Sequence, residues 1–317
     1  MKTVNINGLS ISQMTLGTVQ LGLPYGIANK IGKPDQSLGH QILGEAIRGG
    51  INCFDTAMVY GDSERILGDY FADKDKPFII SKLMLDIDGN TTLAGIQRQV
   101  FSLVEGSLAR LNLAKIPLMM LHKPSILHEH GEAVTAAFRA VVRDGLAERM
   151  GISFGAEVEN EFWEIWKYAR DDVYEAVQIP INIFDHRLIR SGALGVIGEA
   201  KKMVFARSIF LQGLLHMYKE ELPVHLSEAG PYLETLKSLA TKEGLSIAQM
   251  AVAFVRDLPV IHSLVIGVET EEQVITNIDL MNCPAISEPT RKEILRLFGH
   301  IPEFIISPQL WNLDTGK

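Results

Sequence analysis

An aspartate, a tyrosine, a lysine and a histidine stand where apolar runs of this chain stop. FDTAMVYG sets Asp55 after Cys53-Phe54 and Tyr60 five residues later, IISK ends on Lys82, and LMMLH ends on His122. An unpaired buried Asp, Lys or His is costly to desolvate, so mutual contact is the economical arrangement. An Asp55–Lys82 ion pair beside Tyr60 favours the phenolate and predicts a tyrosine pKa below the usual value of about 10. Tyr60 then exchanges a proton near neutral pH. Taken singly, each residue has a plainer role: Asp55 caps its loop, Lys82 reaches outward along its stem, and His122 is a satisfied core histidine. Their joint placement is what points to chemistry.

Elements of two kinds alternate to position them. VNINGLSIS carries Asn7-Gly8 between two alternating arms, a hairpin signal. Eight short apolar runs follow: MTLG, INCFD, PFIISK, LMMLH, RMGIS, AVQIP, MVFA and SLVIG. Between them lie segments with apolar residues at helical spacing, such as Ile96, Val100, Leu103, Val104 and Leu111 in Thr92–Leu111. An irregular stretch, Leu211–Gly230, interrupts before helices at Pro231–Glu243 and Ser246–Asp257, and a last helix starts at Thr270. Eight strands each followed by a helix predict a (β/α)8 TIM barrel with an N-terminal β-hairpin, a doubly wound open sheet being the other arrangement. With no linker or low-complexity tract, residues 1–317 are expected to form a single barrel domain.

Composition narrows the function. At 317 residues and 47% hydrophobic content the chain buries a large core. Asp+Glu (38) exceed Lys+Arg (30), giving a net charge of -8 without any basic run, which argues against nucleic acid or an acidic membrane as partner. A small-molecule ligand is expected, and the oligomeric state is left open. Two cysteines, Cys53 and Cys283, and no charged-then-apolar leader fit a reduced, cytoplasmic protein. Met119 and Met120 lie within a strand and are expected to pack.

The order Asp, Tyr, Lys, His in FDTAMVYG, ISK and LMMLHKP resembles the catalytic tetrad of the aldo-keto reductase superfamily, and the resemblance extends over nearly the whole chain. GIS with Ser153, VQIPIN with Gln178 and Asn182, and IAQMAVAFVRDLPVIHSLVIGVETEEQVITN ending at Asn277 agree with it. The resemblance implies an NADP(H)- or NAD(H)-dependent oxidoreductase that reduces an aldehyde or ketone, with Tyr60 as proton donor, His122 orienting the carbonyl, and Lys82 and Asp55 supporting Tyr60. It places Ser153 and Gln178 on the nicotinamide carboxamide, Arg207 and Gly267 along the cofactor, and Asn277 at the adenine. RSIFLQGLL and QIPINIFDHR are similar to segments of members that handle sugar-like compounds. Tyr25, in GLPYGIANKIGKP, and Trp311, in PEFIISPQLWNL, are the candidate substrate walls. No metal is implied.

Three positions depart from the family's pattern. Phe154 follows Ser153 where many members carry Asn, Arg207 stands where many place a ring on the nicotinamide, and Glu269 stands where many have arginine. A guanidinium plane stacks on a flat ring, and its charge disfavours the oxidised nicotinamide, which points toward reduction. Glu269 in GVETEEQ, a segment without Lys or Arg, points to a loss of preference for NADPH. Two other functions are kept open: a non-catalytic, cofactor-binding regulatory subunit of the same fold, and a barrel isomerase or lyase with Lys82 as amine nucleophile.

Overall fold

The structure is a computed structural model, and it describes residues 1–155 and 158–311. Its first two strands, β1 (Thr3–Ile6) and β2 (Leu9–Ser12), pair antiparallel with Ile6 opposite Leu9. Asn7 and Gly8 make the turn with φ of 49° and 77°, the left-handed pair that a tight hairpin demands.

Eight parallel strands then close a barrel: β3 (Met14–Gly17), β4 (Cys53–Asp55), β5 (Phe78–Leu83), β6 (Leu118–Leu121), β7 (Met150–Ser153), β8 (Tyr174–Pro180), β9 (Met203–Arg207) and β10 (Ser263–Gly267). They neighbour one another in chain order, and β10 pairs with both β9 and β3. This is the predicted (β/α)8 TIM barrel. Helices cover the outside, so both faces of the strands are buried and the runs read as continuously apolar. The pleat divides them. Met119 packs outward into the large cluster beneath the helices, and Met120 joins Cys53, Ile80, Leu118, Ala176, Met203 and Phe205 inside the barrel.

The hairpin closes the amino-terminal end of that interior. Ile11 is 1% exposed and packs in the inner cluster, and Asn52 ties the hairpin down by accepting from Ser12 N–H (2.8 Å) and donating to Ser10 O (2.9 Å). With one end plugged and all eight strands parallel, the carboxyl ends form the open rim where loops can bring polar groups together.

Helix starts follow the expected chemistry: Asp35, Thr92, Ser246 and Thr270 each accept from a backbone N–H three residues on. Leu211–Gly230, expected to be irregular, contains three short 3-10 turns. A helix at Glu288–Leu297, not anticipated from sequence, begins at Ser287 with Pro289 in its first turn and buries Ile294. Among the described residues no helix is long and apolar enough to cross a membrane.

Candidate active site

Asp55 ends β4, Lys82 lies near the end of β5, and His122 directly follows β6, so three adjacent strands deliver three side chains to one place on the rim. Tyr60 comes from the turn after β4. That turn is packed against the short helix after β3. A Cβ on Gly22 would fall inside contact distance of the Tyr60 carbonyl oxygen, and one on Gly61 would strike the Gly22 carbonyl. Two glycines thus allow the loops to approach closely enough to seat Tyr60.

Lys82 is fully buried and donates to both Asp55 carboxylate oxygens at 2.7 Å and to Thr56 O at 2.9 Å. Its three ammonium protons are therefore all engaged by oxygen acceptors. Gln178, from β8, donates to Asp55 Oδ1 (2.7 Å), and Ser153, from β7, donates to Gln178 Oε1 (3.2 Å). Thr18 fixes the backbone of Asp55 with both its N–H (2.9 Å) and its hydroxyl (2.8 Å). Ser63 in turn joins Thr18 and Thr56. The Gln178–Asp55 bond and the Thr18–Ser63–Thr56 hydroxyls were not foreseen: hydroxyls in short loops carry no distinguishing signal in one sequence.

The Lys82 ammonium stands 5.1 Å from the centre of the Tyr60 ring, and His122 meets that ring edge-on with centroids 5.8 Å apart. The expected fall in the Tyr60 pKa is not what the structure shows. Burial of the phenol pushes the pKa above the usual tyrosine value, and it outweighs the downward pull of Lys82 and the smaller one of Arg207, while Asp55 adds to the rise. Tyr60 is thus a protonated phenol at neutral pH. Burial, reinforced by Lys82 and Arg207, pushes His122 down to about 3. It is a neutral imidazole, and its Nδ1 is buried without a hydrogen-bond partner among the described residues.

Arg207 ends β9 and is anchored by donating to Phe154 O (2.9 Å) and Ser208 Oγ (3.0 Å). Phe154, the departure after Ser153, thereby contributes its carbonyl to holding the other departure. Tyr25 lies in the loop after β3, where its hydroxyl accepts from Gln212 Nε2 (3.0 Å) and Ile27 N–H donates to Gln212 O (3.1 Å). Gly267 ends β10 in register with Gly17, and Asn277, 8% exposed, lies on the following helix Glu271–Leu280. Trp311 departs from its expected position as a wall: it is 3% exposed, packs in the outer core, and donates its indole N–H to Phe304 O (2.8 Å). Residues 312–313, the end of that segment, lie outside the described residues. A cavity of about 380 Å³ bordered by Phe184, His186, Arg190 and Ile301 includes none of the tetrad.

These features define a (β/α)8 barrel carrying an Asp–Tyr–Lys–His cluster at its carboxyl-terminal mouth. The model of the Aldo/keto reductase family matches residues 13–294, and the chain belongs to that family. It is an NAD(P)H-dependent oxidoreductase of the type that reduces carbonyl compounds. An uncharacterized oxidoreductase, YrpG, of Bacillus subtilis (strain 168) is 26% identical over 324 residues, covering 93% of each chain. A probable voltage-gated potassium channel subunit beta of Oryza sativa subsp. japonica is 24% identical over 314 residues, 91% of this chain and 93% of that one. Among solved structures, aldo-keto reductase AKR11C1 from Bacillus halodurans in its holo form superposes with a TM-score of 0.74 at 20% identity, covering 94% of this chain and 96% of that one.

Proposed function

We propose that this chain reduces an aldehyde or ketone to the alcohol with Tyr60 as the proton donor. The observation that carries this is the Lys82 ammonium, with its protons all engaged, beside a half-buried Tyr60 held as a protonated phenol. As negative charge develops on the carbonyl oxygen, the phenol releases its proton, and the nearby cation stabilises the phenolate left behind. Asp55 keeps Lys82 in place, and Gln178 keeps Asp55 in place. His122, being neutral, orients the carbonyl oxygen without competing as an acid.

The residues fit a nicotinamide dinucleotide. Gly17 and Gly267 leave the rim without side chains where two strand ends meet, and His122 Nδ1 and Gln20 Oε1 are buried without hydrogen-bond partners among the described residues. A bound nicotinamide would supply the hydride. Ser153 and Gln178 would hold its carboxamide, Arg207 and Gly267 would border it further along, and Asn277 would take the adenine. Tyr25 forms one wall for the substrate, a small and sugar-like carbonyl compound, and Trp311 supports the segment behind it. Arg207 and the elevated Tyr60 pKa both favour reduction over oxidation. Glu269 beside the adenosine end removes the discrimination in favour of NADPH.

The test is Tyr60→Phe. Turnover of a competent carbonyl substrate should fall by about 10²–10⁴-fold, the usual contribution of a general acid. Dinucleotide should still quench protein fluorescence. Near-normal reduction would remove Tyr60 from its role. Dinucleotide binding by the unmodified chain with no turnover over a broad carbonyl panel would favour a regulatory, cofactor-binding function, and one relative is named as a probable voltage-gated potassium channel subunit beta.

A further inference from the structure

The cavity of about 380 Å³ is lined by none of the residues assigned to the tetrad or the cofactor. Its walls come from the start of the helix Val158–Ala169, the segment that leaves β8, and the C-terminal stretch 299–310. That volume lies in the range of small-molecule pockets, about 300–1,000 Å³. Phe184, His186, Arg187 and Ile306 are buried and make its floor, while Asn160, Arg190 and Gln309 are exposed and stand toward solvent. His186, 2% exposed, stacks on Phe254 with ring centroids 5.1 Å apart. Its Nε2 lies 2.8 Å from Ile183 O, and a carbonyl only accepts, so Nε2 carries the proton. Burial pushes the imidazole down to about 4 and keeps it neutral, which makes Nδ1 an acceptor. Nδ1 is buried and has no hydrogen-bond partner among the described residues. Leaving such an acceptor unpaired is unfavourable, and a ligand with a donor would relieve it.

The charges around the cavity are already matched to one another. Arg187 donates to the two Asp185 oxygens through Nε (2.8 Å) and Nη2 (2.6 Å) and lies 3.4 Å from Glu303, and Arg190 lies 3.6 Å from Glu159. The carboxylates of Asp185, Glu303 and Glu159 outnumber the two guanidiniums, so an anion finds no net attraction here. An ammonium group would leave water for a floor whose open acceptor is a neutral ring, which is costly. The unmet need is for an uncharged donor. A hydroxyl supplies it, and further hydroxyls accept in turn from the N–H groups of Arg190, Asn160 and Gln309. We infer that this cavity is a binding site for a small uncharged polyol, one hydroxyl of which donates to His186 Nδ1 while its C–H faces rest on Phe184 and Ile306.

The experiment titrates the full chain by calorimetry with erythritol, xylitol and D-glucitol, and with D-gluconate and D-glucamine as the anionic and cationic analogues of glucitol. At least one of the three polyols should bind, and more tightly than either charged analogue. His186→Phe keeps a ring against Phe254 but removes the acceptor, and it should weaken that polyol by about tenfold, the effect of one buried hydrogen bond. Gln309→Trp narrows the cavity from an exposed position and should weaken the polyol at least as much, which gives the same comparison should the phenylalanine variant fail to fold. Tyr60→Phe should bind the polyol as the unmodified chain does. A loss in Tyr60→Phe would place the polyol at the tetrad and overturn the assignment. Failure of all three polyols to bind, tighter binding of gluconate or glucamine, or undiminished affinity in folded His186→Phe or Gln309→Trp would overturn it as well.

Discussion

Single residues at this mouth are governed by the contest between burial and charge. His122 shows it most simply, because burial and two neighbouring cations all act against its protonation. Above a pH of about 6.5 it is neutral whether the chain is folded or not, and it adds no pH dependence. As pH falls from there toward about 3, the unfolded chain takes up a proton that the folded one refuses, so stability is lost. Between pH 7 and pH 5 this amounts to about 2 kcal/mol. His122→Gln should therefore lose about 2 kcal/mol less than the unmodified protein over that interval, measured by urea unfolding at the two pH values. Equal losses would contradict the assignment. Glu269 is the second case. Burial pushes its carboxyl above the usual range, and Gln273 accepts its backbone N–H at 2.7 Å. No cation is supplied by this residue to a 2′-phosphate, so kcat/KM for NADPH and NADH should agree within about tenfold, roughly 1.4 kcal/mol. Glu269→Arg should shift the ratio toward NADPH, and a preference of the unmodified protein above about a hundredfold would contradict it.

At the scale of elements, glycine contacts between loops position what the strands cannot. Tyr60 belongs to no strand, and its place depends on the helix Val19–Gly22 lying against its backbone. Gly22→Ala forces that contact apart. Misplacing a catalytic group by about 1 Å costs on the order of a hundredfold, so kcat/KM should fall by about that factor. Gly39→Ala, where a Cβ would meet Ile66 at an ordinary 3.5 Å, is the control and should remain active. Steady-state kinetics on both variants make the comparison. Much at this scale was legible in the sequence. The eight strands and most helices fall where apolar spacing and caps put them, because both signals are local. Glu288–Leu297 was missed: half of its residues are charged and it buries only Thr290 and Ile294, so few apolar positions mark it.

For the whole molecule, the shared barrel sheet and the hairpin that plugs it argue for one cooperative unit, as proposed for residues 1–317. Thermal unfolding should show a single transition. A dinucleotide present at 100 times its dissociation constant should raise the folding free energy by about 2.7 kcal/mol and move that transition as a whole. A transition that splits, with only one part responding to ligand, would contradict a single domain.

The sequence by itself determined the alternation that builds the barrel and the order of Asp55, Tyr60, Lys82 and His122 along it. Strand ends in a closed parallel barrel must meet at one rim, so topology alone brings Asp55, Lys82 and His122 together and leaves Tyr60 to the turn after β4. Tertiary structure decided the rest. The Asp55–Gln178 bond joins residues 123 apart in the chain, and the Tyr25–Gln212 bond joins residues 187 apart. Neither leaves a local trace. The sign of the Tyr60 shift depended on how far neighbouring strands and loops desolvate the phenol. A list of nearby charges cannot supply that. Trp311 was drawn into the core for the same kind of reason: its ring and its N–H found partners in Phe304 and the packed segment around it, which only the folded chain brings within reach.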